Sequence, residues 1–265
     1  MNPMSSKFFP CKPQLQILKA VMLISLILVN QRIEAFSDSE MITVRNKLSA
    51  ELINKIRRRK IRFVQTDLGV DRHLFDDQTL FPHLQTVTLK SGSELNSALL
   101  FTLSTKYPRI RELTLVQDEP LQDASLATIE SFKRLRFLDL ECDLQNPKMF
   151  QKAVPSGVSE LLIGGKHANS WIFSALPNLA ALRIYNAQVD SKFLNSLTLP
   201  NLRYLYLGAE VSKDCYPALA RYKNLKTLIV EKAHAERDDI KLLHGFGIRV
   251  VNVYAASNKV GQPQN

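Results

Sequence analysis

The chain has 265 residues, 45% of them hydrophobic and 23% charged, and a formal net charge of +10. This balance is ordinary for a globular protein and excludes a disordered, collagen-like or low-complexity chain, while length alone permits one large domain or two small ones. Three cysteines are too few for a disulfide scaffold, and the positive charge raises the question of acidic partners.

Residues 1–35 come first. Lys7, Lys12 and Lys19 precede an apolar run from Ala20 to Val29, and NQRIEA follows it. This is the pattern of a secretory signal, with Ile33, Glu34 and Ala35 offering a cleavage site before Phe36. The uninterrupted run has 10 residues, roughly half of the ~20 that a helix needs to span a bilayer. The competing reading is an uncleaved membrane anchor over residues 17–29, which takes Lys19 to the membrane edge. The expected location is therefore secreted, periplasmic or at the cell envelope, or membrane-anchored through that segment. Cleavage removes Lys7, Lys12, Lys19, Arg32 and Glu34 and leaves +7 of the +10, so the basic bias survives export. Cys11 leaves with the signal, and Cys142 and Cys215 fall in different repeats, which argues against a disulfide between them. No Asn-x-Ser/Thr sequon occurs, which leans towards a bacterial export route.

Residues 36–60 predict an N-terminal capping helix. Ser37 and Glu40 make a capping box, and Met41, Val44, Leu48, Leu52 and Ile56 recur at intervals of three or four. The segment runs into KIRRRKIR, six basic residues in eight from Lys55 to Arg62. Lys55, Arg57, Arg58, Arg59 and Lys60 are a candidate contact for an anionic surface. The plainer account is a solvated helix end, where cations suit the helix dipole. With no aromatic residues interleaved for base stacking, nucleic acid is not expected as a partner.

From residue 61 one phrase repeats: apolar-x-x-apolar-x-apolar. Its first positions are Ile61, Leu84, Ile110, Leu135, Val158, Leu179, Leu202, Leu225 and Ile248, at intervals of 23, 26, 25, 23, 21, 23, 23 and 23 residues. Nine matches holding one period mark a repeat array in which no row buries its apolar face alone, so rows must stack. The segments between rows, such as NSALLFTLSTKY, DASLATIESFKRL, SKFLNSLTL and KDCYPALARYKN, space apolar residues as helices do. Met149, Phe150, Trp171, Phe173, Phe193 and Leu194 read as core behind the sheet. A polar tail, 255–265, closes the chain.

The rows LQTVTL, IRELTL, LRFLDL, VSELLI, LAALRI, LRYLYL, LKTLIV and IRVVNV resemble the leucine-rich-repeat family. The resemblance covers residues 61–254, about nine rows. It implies an α/β fold, a curved solenoid with a parallel sheet on its concave face and helices on its convex face. Pro82, Pro108, Pro177 and Pro200, two places before a row's first apolar residue, fit the family's habit. The family's Asn three residues after the third apolar position is absent, with Asp118 and Asp143 there in two rows, so the turn backbone must be satisfied by other means.

The register then gives the faces. The residue after each first apolar position is Arg62, Arg111, Arg136, Arg203, Lys226 or Arg249 in six of the nine rows, a basic stripe along one sheet edge. Alternate strand residues point outward, giving Gln65, Thr88, Thr114, Asp139, Leu162, Arg183, Tyr206, Ile229 and Asn252 as one ladder. The next ladder runs from Asp67 to Tyr254 and includes Glu141 and Tyr185. The candidate protein-binding residues are Phe137, Asp139 and Glu141 on one strand and Arg183, Tyr185, Tyr204 and Tyr206 on two others, because Tyr and Arg dominate binding hot spots. No HExxH, G-x-S-x-G, P-loop, G-x-G-x-x-G or C-x-x-C motif occurs, and the five histidines are scattered, so neither an enzyme nor a cofactor or metal site is expected. The sequence-level expectation is an exported, monomeric, non-catalytic protein that binds a protein ligand through its concave face. The alternatives are a membrane-anchored envelope scaffold or a secreted effector or substrate adaptor.

Overall fold

Ten strands in chain order make one sheet in which every neighbouring pair runs parallel. The computed structural model describes residues 40–44, 50–66, 72–90, 95–165, 176–231 and 237–252. The signal or anchor segment, Ser37, Leu48, Asp67, Trp171, Phe173, Tyr254 and the tail lie outside them. The strands are β1 (Met41–Val44), β2 (Phe63–Thr66), β3 (Thr86–Lys90), β4 (Glu112–Val116), β5 (Phe137–Glu141), β6 (Glu160–Ile163), β7 (Ala181–Val189), β8 (Tyr204–Val211), β9 (Thr227–Val230) and β10 (Arg249–Asn252).

The repeated apolar positions are what the stack buries. One ladder, from Val64 on β2 through Leu113, Leu138 and Leu182 to Leu228 on β9, is at most 1% exposed. The first apolar residue of every row, Ile61 to Ile248, is at most 2% exposed. At about 1.5–3 kcal/mol for each fully buried aliphatic side chain, these ladders are the principal favourable term in folding.

Between strands the chain returns through short helices: α1 (Ala50–Arg57), α2 (Ser97–Lys106), α3 (Asp123–Thr128), α4 (Phe150–Ala153), α5 (Ser191–Ser196), α6 (Cys215–Leu219) and α7 (Arg237–Gly245). Asn96 caps α2 by accepting from the Leu99 amide at 3.0 Å, and Asp190 caps α5 by accepting from the Phe193 amide at 2.7 Å. Phe150, Phe193 and Leu194 are buried behind the sheet and Met149 packs partly buried against them, as their spacing predicts. Parallel strands stack about 4.8 Å apart while packed helices need about 8–10 Å. The strand side is therefore the shorter, inner side of an α/β solenoid.

Seven of the nine rows, those from Leu84 to Leu225, start from a tight turn. The amide of the first apolar residue donates to the carbonyl three places back, as in Leu84 to Phe81, Ile110 to Tyr107 and Leu202 to Leu199. Pro82, Pro108 and Pro200 stand second in these turns, where a fixed φ is favourable. Past the strands, backbone pairing between rows replaces the missing family Asn. Leu121 and Leu144 form a further parallel bridge, and β7 and β8 continue across an irregularity to pair Val189 with Val211.

Two sequence expectations are corrected. Residues 36–60 do not form one capping helix: among the described residues Met41–Val44 is strand β1, paired with β2, and only Ala50–Arg57 is helical. Ile42, Thr43 and Val44 are β-branched, and the edge of β2 supplies their backbone partners. The array thus has a tenth strand, before Ile61. The last row is also displaced by one residue, with Arg249 beside Thr227 and Val251, not Asn252, beside Ile229. Its approach differs from the others: α7 ends in a turn where Gly247 has φ 74° and the Ile248 amide donates to the Leu243 carbonyl.

Candidate functional site

The sheet's open face carries the candidate residues because helices cover only its other face. On β5, Leu138 and Leu140 point into the core, which forces Phe137, Asp139 and Glu141 outward. The same alternation on β7 and β8 turns Arg183, Tyr185, Tyr204 and Tyr206 outward, since Leu182, Ile184, Leu205 and Leu207 are core.

The β7 and β8 residues meet. The Tyr185 and Tyr206 rings lie 4.8 Å apart between centroids at 38°, and the Arg183 guanidinium carbon stands 5.8 Å from the Tyr204 ring centroid. The Tyr206 hydroxyl donates to the Glu231 carboxylate, which fixes the ring from β9's end. Gly208, Tyr185's neighbour on β8, makes the room: a Cβ there would come within 2.8 Å of both rings. All four cluster residues are half-buried. Burial pushes the Tyr185, Tyr204 and Tyr206 phenols up, and at Tyr206 the bond to Glu231 adds to it. The three phenols therefore stay protonated at physiological pH, serving as donors and ring surfaces and not as bases. Gly208 and Glu231 were findable only through the register, since both occupy third outward positions.

The β5 residues are arranged differently. Glu141 is exposed, whereas Asp139 and Phe137 are 7% and 6% exposed on the same face. Leu162 on β6 separates Asp139 from Arg183 along their ladder, so the acidic and aromatic neighbourhoods are distinct. Lys55, Arg57, Arg58, Arg59 and Lys60 are exposed at the end of α1, with Ile56 buried between them; Lys55 meets Glu51 at 2.7 Å and Arg57 meets Asp77 at 2.9 Å.

Neither described cysteine is poised as a nucleophile. Burial pushes the Cys142 thiol up to about 12, and Cys215 is raised by burial while its thiol donates to the Val189 carbonyl at 3.2 Å. Among the described residues no group of His, Cys, Asp and Glu is placed to hold a metal ion, and no helix is long and apolar enough to cross a membrane.

No protein-family model matches the chain, and no curated protein does. Solved structures similar to it include the yeast complex of Rad7 and Elc1, with a TM-score of 0.49 and 13% identity over 73% of this chain. The leucine-rich repeat domain of APL1B has a TM-score of 0.40 and 14% identity, covering 87% of this chain and 68% of its own. A Bacteroides fragilis protein has a TM-score of 0.35 and 15% identity, covering 94% of this chain and 85% of its own. The chain spans 56% of the first of these. The fold assignment rests on strand order, register and buried ladders.

Proposed function

We propose that this is an exported, non-catalytic solenoid that binds a protein partner through its open sheet face, with Arg183, Tyr185, Tyr204 and Tyr206 as the anchors. The observation that carries the reading is the Tyr185–Tyr206 ring pair beside the Arg183–Tyr204 pair, on a face that no described helix covers. Rings held by Gly208 and Glu231 lose little freedom when a partner arrives, so a few anchors suffice for affinity. Exposed Glu141 adds an acidic contact that selects for charge in the partner, while Phe137 and Asp139 on the same strand are buried. Export is part of the proposal, supported by the lysines, apolar run and small-residue site of residues 1–35.

Crosslinking capture from secreted and envelope fractions tests it, comparing wild type with the double variant Arg183→Ala/Tyr204→Ala. That pair leaves the Tyr206–Glu231 bond in place, and circular dichroism checks the fold. A specific protein captured by the wild type and reduced on the order of 30-fold in the variant is the expected result. Undiminished capture would remove the open face from consideration.

A further inference from the structure

The basic stripe is not used by the protein-binding reading. Neighbouring members stack in space: the Arg136 amide donates to the Arg111 carbonyl at 2.7 Å and Lys226 to Arg203 at 2.9 Å, while Arg249, set one place further along by the β10 register, donates to Lys226 at 2.9 Å. Arg62, Arg111, Arg136, Arg203, Lys226 and Arg249 are all exposed, along the edge where the strands begin. Spaced about 4.8 Å per strand, the stripe runs roughly 40 Å from β2 to β10. The turns just before it add exposed Arg59, Lys60, Arg109, Lys133 and Arg134. At the two positions before and the one after the first apolar residue, no Asp or Glu occurs in any of the nine rows from Ile61 to Ile248.

Most of this charge is unspent. Arg62 has Glu40 at 3.7 Å and Arg136 donates to the Gly157 carbonyl at 2.9 Å, but Arg111, Lys226 and Arg249 have no side-chain partner among the described residues, and Arg203 has none either. The opposite edge, where strands end, presents exposed Asp118, Glu119, Glu141, Asp190 and Asp214. Exposed Lys90 and Lys213 share that edge, so the excess of positive charge is concentrated where the strands begin.

Two apolar features belong to the basic edge. Phe246, 55% exposed, lies in the turn between α7 and β10, three residues before Arg249. All strands being parallel, the chain also enters β1 at this edge, and the Arg62 amide donates to the Glu40 carbonyl at 2.9 Å. There Met41, the first residue of β1, is 40% exposed.

We propose that the basic edge docks onto an anionic lipid bilayer. A flat spread of long cations with one apolar ring among them suits a charged interface, where Lys and Arg meet headgroups and Phe enters the acyl boundary. Phe246 alone does not supply the run of aromatic rings that single-stranded nucleic acid stacks on. An acidic peptide would be gripped by apolar anchors in a pocket, and the edge is a row of exposed turns. Docked this way, the open sheet face stands across the bilayer plane and presents its tyrosines sideways. The proposal is independent of whether that face binds a protein.

The test uses the full chain with vesicles of phosphatidylcholine, alone or doped with phosphatidylglycerol. Phe246→Trp in a Trp171→Phe background places the sole indole on the edge, and quenching by brominated lipid reads its contact with the bilayer. Quenching is expected on anionic vesicles and not on neutral ones, and it fades with added salt. Arg111→Glu/Arg203→Glu/Lys226→Glu/Arg249→Glu lowers the apparent affinity on the order of 100-fold. Reversal of Lys90, Lys148, Lys152 and Lys192, exposed elsewhere, leaves it unchanged. Equal quenching on neutral and anionic vesicles, or quenching that survives edge reversal, overturns the proposal. So does tighter binding to a single-stranded oligonucleotide or to polyglutamate than to anionic vesicles. Should the edge variant misfold by circular dichroism, the lipid and salt comparison on the otherwise intact chain still decides.

Discussion

Asn178, Asn201 and Asn224 stand at one place in three successive rows, just before the first apolar residue. Each side-chain amide donates to a carbonyl of the preceding row's turn: Asn178 to Ser156 at 2.8 Å, Asn201 to Pro177 at 2.6 Å and Asn224 to Pro200 at 2.8 Å. The Asn that the leucine-rich-repeat resemblance leads one to expect beyond the strands is missing, and this chain carries an Asn ladder before them. Asn201→Ala is expected to cost about 1 kcal/mol, measured by urea denaturation. Asn201→Asp should not restore it, because a carboxylate cannot donate to the Pro177 carbonyl. Gly165 shows the same tightness between rows: a Cβ there would lie 2.6 Å from the Cys142 carbonyl oxygen, so only glycine fits.

Among the elements, α1 is attached to the row after it by charge. The Arg57 guanidinium donates to Asp77 at 2.9 Å, while the Thr79 hydroxyl and amide donate to the same carboxylate at 2.6 and 2.9 Å. Thr79 first, then Arg57, hold the Asp77 carboxyl down at about 2, below its ordinary 3.8. A depressed folded-state value means that this contribution is present above the ordinary value and lost as pH falls from 3.8 towards 2. Hydrogen exchange should show α1 losing protection in that window, with Asp77→Asn removing the pH dependence there. Asp77 is solvent-exposed, so added salt should weaken the effect.

For the whole molecule, one contiguous core runs through the rows, and each row meets mainly its neighbours. Leu161 on β6, 1% exposed, is in the middle of the array. Leu161→Ala is expected to cost about 2–5 kcal/mol in chemical denaturation. Hydrogen exchange should locate the loss in β5, β6 and β7 first, with β2 and β9 affected less. Global loss of protection at equal degree across all ten strands would mean that the array behaves as a single cooperative unit.

The row starts from Ile61 to Ile248, the inward ladders and the basic edge were legible in the sequence because each follows from period and alternation, which a linear chain displays directly. Arg183, Tyr185, Tyr204 and Tyr206 could be placed on one face for the same reason. Three matters were decided only in the folded molecule. Met41–Val44 carries apolar spacing compatible with a helix, and it became a strand because β2 offered an unpaired edge. The β10 register depended on how α7 ended at Gly247, a turn geometry that shifted the row by one residue. The ring pair of Tyr185 and Tyr206 needed the space at Gly208 and the carboxylate of Glu231, contacts between rows 23 to 25 residues apart. Periodicity fixes which face a side chain takes, whereas what it touches there depends on neighbours that only stacking brings together.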